Sequence, residues 1–163
     1  MSDTEKIRQI LAGKKKKMLE ENPVCMFCGH GLDSENCDLA HIIPRSERIE
    51  GISNIDLQTM DENIGLAHNS CHDVFDNRPA AAVNLPRIFV ILDRMFGIDQ
   101  KYYNRYMWRL EPYWAKEIEK KPEEHRYEYR ATSGCESYIR IFINRDLTMH
   151  PFARAIERRR RKL

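Results

Sequence analysis

The sequence lacks any long hydrophobic run, and no apolar segment of its 163 residues approaches the roughly 20 residues that a membrane-spanning helix needs. The polar opening MSDTEKIRQIL also lacks the apolar centre of a secretory signal. We therefore expect a cytoplasmic protein with no membrane partner. In a reducing compartment, closely spaced cysteines are metal ligands more often than they are disulfides.

The chain also lacks a large excess of either charge, because 27 Lys and Arg oppose 25 Asp and Glu. Positive charge is nevertheless concentrated in two runs, at residues 14–17 and 158–162. Such runs can neutralise phosphates, although each is equally typical of a solvated helix face or a tail. The 42% hydrophobic and 32% charged content is ordinary for a globular protein, and the length fits one domain or a small domain with an appendage.

The order of the predicted elements divides the chain into three parts. Hydrophobic spacing predicts an N-terminal helix that Asn22-Pro23 ends, within residues 1–22. Residues 23–78 read as a cysteine-bearing loop, a strand in DLAHIIP, a long connection, a strand in NIGLAH and a helix in CHDVFD. Residues 79–163 read as a helical and β-hairpin extension that ends in the basic tail.

Two pairs of residues have the spacing of zinc half-sites. Cys25-x-x-Cys28 offers two sulfurs, and His68-x-x-Cys71 offers one nitrogen and one sulfur. Together they form a Cys₃His set, a common combination at structural zinc sites. His30 is a rival for the fourth position, and buried thiols without a metal are the plainer alternative. The remaining cysteines, Cys37 and Cys135, are expected to be bystanders.

A second group of residues is suited to a different cation. His72 and Asp76 are four residues apart on a predicted helix, so both could approach one divalent ion. Such a site leaves coordination positions for water and phosphate. His41 lies in the first predicted strand, where a lone histidine beside apolar residues is usually part of the core.

Three segments, CMFC, DLAHIIPRS and NIGLAHNSCHDVFD, resemble the HNH endonuclease family of ββα-metal nucleases. They run through residues 25–76, and the interleaved cysteine pairs are similar to those of the subgroup that a structural zinc braces. The resemblance implies an α+β fold with a ββα-metal core and a structural zinc, embedded in added helices and a C-terminal β-hairpin. It also implies an enzyme that hydrolyses phosphodiester bonds in DNA.

The resemblance assigns roles to the three residues of the family name. His41 would be the general base that takes a proton from the attacking water. His72 would bind the catalytic cation, Mg²⁺ or another divalent metal, which stabilises charge on the phosphate. Asn63 would pin the long loop and so hold the strand of His41 near the helix of His72.

The resemblance is less complete around these three residues. Many family members carry a metal ligand directly before the general base, where this chain has Ala40. Asp38 lies on the same side of the strand and could substitute, while Asp76 would be a further ligand. We expect Arg45 and Arg78 to contact DNA.

The expected partner is therefore DNA, in a bacterial or phage-infected cell, and cutting both strands with one site per chain would favour a homodimer. The alternative is a zinc-braced DNA-binding module of HNH fold with weak or lost catalysis, a reading that Ala40 favours. A purely structural zinc protein is the third reading.

The helix predicted in QKYYNRYMWRLEPYWAKEIEKK mixes aromatic residues with cations. We expect these aromatics to pack onto the core rather than to stack on bases. The hairpin is a candidate for recognition of the DNA target.

Overall fold

The computed structural model describes residues 2–120 and has a mixed α+β architecture. The predicted hairpin, the final helix, the basic tail and Cys135 lie outside the described residues. The elements are α1 (Asp3–Glu21), β1 (Cys37–His41), α2 (Asn54–Thr59), a 3₁₀ turn (Asp61–Asn63), β2 (Ile64–His68), α3 (Asn69–Asn77), α4 (Pro79–Ala82), α5 (Ile88–Ile98) and α6 (Gln100–Lys120). Within the described part of the chain, no helix is both long and apolar enough to span a membrane.

The sheet has two antiparallel strands, and its register places Cys37 opposite His68 and His41 opposite Ile64. The two strands and the helix that follows them confirm the elements predicted for this region. α3 begins at the residue after β2, with His68 as its N-cap. Because no loop separates β2 from α3, the sheet sets the position of the first helical turn.

α1 packs against the start of β2. Ile7 and Leu11 are buried with Ile64 in a small cluster of their own. The basic run contributes directly, because Lys14 forms an ion pair with Asp61 and Lys15 donates a hydrogen bond of 2.7 Å to the Cys37 carbonyl. Two of its four lysines therefore hold α1 against the sheet.

The main core joins the cysteine loop, the sheet, α3 and the two long helices α5 and α6. The ring of Phe75, from α3, lies 4.8 Å from that of Phe27 and 5.6 Å from that of Tyr106. Tyr102, Tyr103 and Tyr106 are all buried, as expected for these aromatics, whereas Trp108 is 75% exposed, so the expectation is wrong for that residue.

Gly65 lets the cysteine loop lie directly on the sheet. The backbone N–H of Met26 donates to the carbonyl of Leu66 at 2.8 Å, so the two segments are in backbone contact. A Cβ on residue 65 would lie 3.2 Å from both Cβ and Cγ of Met26, and closer still to its sulfur. Met26 is buried, so it has little room to move away.

Gly65→Ala should destabilise the protein by about 1–3 kcal/mol, the usual cost of forcing an extra methyl group into a packed site. Urea unfolding measures the change. Gly13→Ala is the matched control, because a Cβ there meets nothing within 4 Å and alanine is the better helix former. The control should gain about 0.5–1 kcal/mol. Equal stability of Gly65→Ala and the parent chain would contradict this account of the contact.

Candidate metal centre

Four donor atoms converge between the cysteine loop and the β2–α3 junction, and together they could hold a zinc ion. One atom each from Cys25, Cys28, His68 and Cys71 lies within 4.8 Å of all the others. The Nδ1 atom of His68 is 3.4 Å from the sulfur of Cys28 and 4.0 Å from that of Cys71. Tetrahedral zinc would hold sulfur and nitrogen ligands about 3.6 Å apart, so the cluster fits that ion.

The local backbone explains how these residues meet. The loop closes on itself through a bridge between Val24 and Gly31, and the N–H of Cys25 donates to the carbonyl of His30 at 2.8 Å. Gly29 has a φ of +79°, a left-handed conformation that glycine adopts without strain. His68 ends β2, and Cys71 follows in the first turn of α3.

The choice between the two candidate histidines falls on His68. His30 is exposed and lies outside the cluster, contributing only its backbone carbonyl to the loop. Cys37 is buried and also lies outside the cluster, as expected for a bystander.

The electrostatics of the thiols favour a cation between them. Burial raises the pKa of Cys25, but the backbone N–H groups of Cys28, His68 and Phe27 outweigh burial and lower the pKa to about 7. Burial and the neighbouring charges of Cys25 and Cys28 raise the pKa of Cys71 to about 12. Without a cation the sulfur of Cys71 therefore keeps its proton, and zinc binding should release protons.

Cys28→Ser should reduce bound zinc well below one ion per chain and cost several kcal/mol of stability, because structural zinc sites contribute roughly 10–16 kcal/mol of binding free energy in small domains. Elemental analysis and thermal melts measure both effects. Cys37→Ser, His30→Ala and His72→Ala are matched controls that should each keep the zinc. Loss of zinc from His72→Ala, or full zinc in Cys28→Ser, would show that the ligands are assigned wrongly.

His41 lies at the end of β1 with its ring buried and fixed on one side. Its Nε2 is 2.9 Å from the carbonyl oxygen of Gln58. A carbonyl only accepts, so the neutral ring carries its proton on Nε2 and leaves the lone pair on Nδ1. Burial lowers the pKa of His41; the Gln58 contact opposes this effect, and the positive charge of Arg45 adds to it. His41 is therefore a neutral imidazole at pH 7.

Asn63 is fully buried and closes the long connection between β1 and β2. Its side-chain nitrogen donates to the carbonyls of Leu57 and Ile43, at 2.7 and 3.1 Å, and its Oδ1 accepts from the N–H of Ile43 at 2.6 Å. Leu57 precedes Gln58, so the peptide that Asn63 holds adjoins the one that orients His41. Asn63 thus pins the loop against the end of β1.

Arg94 supports the same region, and the sequence analysis did not single it out. Its guanidinium, projecting from α5, donates to the carbonyl of Ile64 at 2.8 Å and to that of Asp61. These two carbonyls flank Asn63 in the chain. An arginine side chain that binds backbone carbonyls of a distant segment follows no fixed spacing in the sequence. The sequence therefore carried no signal for this role of Arg94.

His72 lies between two carboxylates that face different nitrogens of its ring. Its Nε2 is 3.0 Å from Oδ2 of Asp76, and its Nδ1 is 3.5 Å from Oδ2 of Asp38. The hydrogen bond to Asp76 raises the pKa of His72, burial opposes this effect, and Asp38 adds a smaller increase.

That Asp38 and Asp76 join His72 around one cation stays a prediction. Among the His, Cys, Asp and Glu side chains that the structure describes, the only group of three or more with converging donor atoms is the Cys₃His cluster. The carboxylate of Asp76 lies beside Nε2 of His72, and a cation could bind between them. The carboxylate of Asp38 lies beside the other ring nitrogen, Nδ1.

The other predicted site residues lie at the edges of this region. Arg45 is exposed, and its charge acts on His41. Arg78 follows α3 and forms an exposed ion pair of 3.5 Å with Asp73. Ala40 is fully buried and pairs with Gly65 in the sheet, so no ligand is available at that position.

Comparisons with known proteins find no matching family model, no matching curated protein and no matching solved structure. The case for a function therefore depends on the residues and geometry of the site itself.

Proposed function

We propose that this chain is a metal-dependent endonuclease of the HNH family that hydrolyses phosphodiester bonds in DNA. The observation that supports this most is the state of His41. A buried, neutral imidazole has one nitrogen bound to the Gln58 carbonyl and a lone pair left on Nδ1, as a general base requires. The charges of His72 and Asp76 also act on His41, so a second histidine and a carboxylate lie close to it.

The residues around His72 fit a divalent cation such as Mg²⁺. Its Nε2 and the carboxylate of Asp76 are adjacent donors and would hold the ion. Asp38 would then accept the proton of Nδ1 and fix the ring, as carboxylates beside metal-bound histidines commonly do. When bound, the ion stabilises negative charge on the phosphate and on the leaving oxygen.

The other residues of the candidate site bind and position the reactants. Nδ1 of His41 accepts a proton from a water molecule that attacks the phosphorus. Asn63 and Arg94 hold the loop whose carbonyl orients His41. Arg45, exposed beside this histidine, is placed to bind a substrate phosphate.

Purified chain should nick plasmid DNA with Mg²⁺, Mn²⁺ or Ni²⁺, and His41→Ala should lower the rate by about 10²–10⁴-fold, the usual contribution of a general base. Gel analysis of supercoiled plasmid follows the reaction. His30→Ala is the matched control, because this exposed histidine belongs to neither site and should cut normally.

Equal nicking by His41→Ala and the parent chain would refute the assigned base. DNA binding without nicking in any metal would instead favour the alternative, a zinc-braced DNA-binding module. The buried methyl of Ala40 is the observation that keeps this alternative open, because it removes one ligand position.

A further inference from the structure

The exposed side of α6 carries cations around one large aromatic residue. We define the cationic face of α6 as Lys101, Arg105, Trp108, Arg109 and Pro112, all exposed. At 3.6 residues per turn these positions share one side of the helix. The opposite side packs into the core through Tyr103, Tyr106, Met107 and Leu110.

Trp108 is the exception among the aromatics of α6 whose side chains the structure describes. It is 75% exposed, and among the described side chains the only other exposed large hydrophobic is Ile10 on α1, at 40%. An exposed indole lacks the stabilisation that Tyr103 and Tyr106 gain from burying their aromatic surface. The flanking cations exclude a purely apolar partner, because burying them unpaired would be costly.

The ion pairs on this face are exchangeable. Lys101 lies 3.2 Å from Glu50, and Arg105 lies 3.0 Å from Glu47, with both cationic side chains more than half exposed. Exposed pairs of this kind contribute little to stability, so phosphates can replace the carboxylates.

The cationic face of α6 also adjoins the candidate active site. Glu47, which pairs with Arg105, belongs to the same loop as Arg45. The guanidinium of Arg105 also lies 5.4 Å from the centre of the Tyr102 ring. The Tyr102 ring lies 6.4 Å from the ring of Tyr106, which in turn lies 5.6 Å from that of Phe75 on α3.

We infer that the cationic face of α6 binds an unpaired stretch of the DNA strand, with a base stacked on Trp108 and phosphates on Lys101, Arg105 and Arg109. The choice of DNA as the polymer rests on the proposed function. In a double helix the faces of the bases are covered by their neighbours, so an indole can stack only on an unpaired base. The face should therefore prefer single strands to duplex.

Tryptophan fluorescence tests the contact directly, because the chain has only two tryptophans. In the full-length, zinc-loaded Trp114→Phe variant, Trp108 is the only indole. Adding oligothymidylate without any added divalent metal, which prevents cleavage, should quench its emission. The midpoint should move to higher oligonucleotide concentration as salt increases, because phosphate contacts release counterions.

Fluorescence anisotropy of a labelled oligothymidylate then measures the affinity of single variants. Trp108→Ala should bind about tenfold more weakly, in line with the usual contribution of one stacked base, and Trp108→Phe should bind almost normally. Ile10→Ala is the matched control, because it removes the other exposed large hydrophobic and should leave binding unchanged.

Absence of quenching, unchanged binding by Trp108→Ala, or equal affinity for a duplex of the same length would overturn the inference. So would a spectral shift with phosphatidylserine vesicles but not with oligonucleotide. Quenching without plasmid nicking in any metal would support the binding face and refute the nuclease. Nicking by the parent chain without quenching would support the nuclease and refute the binding face.

Discussion

The Cys₃His cluster is the constraint on which the rest of the candidate site depends. Its donors come from two segments that lie 40 residues apart in the chain, and they meet at the junction of β2 and α3. His68 is both the last residue of β2 and the N-cap of α3, while Cys71 lies in the first helical turn. A cation held by these four side chains would therefore fix where α3 begins and which way its side chains point.

That constraint acts directly on His72, the residue after Cys71. The helix carries its ring to a position between Asp38 and Asp76, and His72 is not a member of the Cys₃His cluster. His41 is held separately, by the carbonyl of Gln58. Asn63 and Arg94 hold the loop that carries this carbonyl. His41 and His72 are each held by their own neighbours, so both could act on one substrate without rearrangement. We propose that the nuclease uses this preorganisation.

Much of this arrangement could be predicted from the sequence, because local spacing carries it. The x-x separation within each ligand pair predicted the four donors. The short apolar run that Pro44 ends predicted the first strand, and NIGLAH predicted the second. Because Asp38 and Ala40 both lie in β1, the strand period of two puts them on the same face. Helix α2 was not predicted within the long connection, because a helix of six residues depends on tertiary contacts rather than on its own pattern.

The contacts that the sequence could not predict are those made by backbone carbonyls and ring nitrogens. The residue type of Gln58 does not indicate that its backbone carbonyl orients His41. The residue type of Arg94 does not indicate that it binds the carbonyls of Asp61 and Ile64. Likewise, spacing brings Asp38 and Asp76 near His72 but cannot say that they face opposite nitrogens. Such details follow from loop geometry, which only the folded chain defines.

X-ray absorption at the zinc edge of the full-length protein tests the central claim most directly, because it reports the atoms around the ion. The account predicts one zinc with three sulfur neighbours at about 2.3 Å and one nitrogen at about 2.0–2.1 Å. A shell of only nitrogen and oxygen would place the zinc at His72 and Asp76 instead. That result would contradict the division of the ligands between two separate sites.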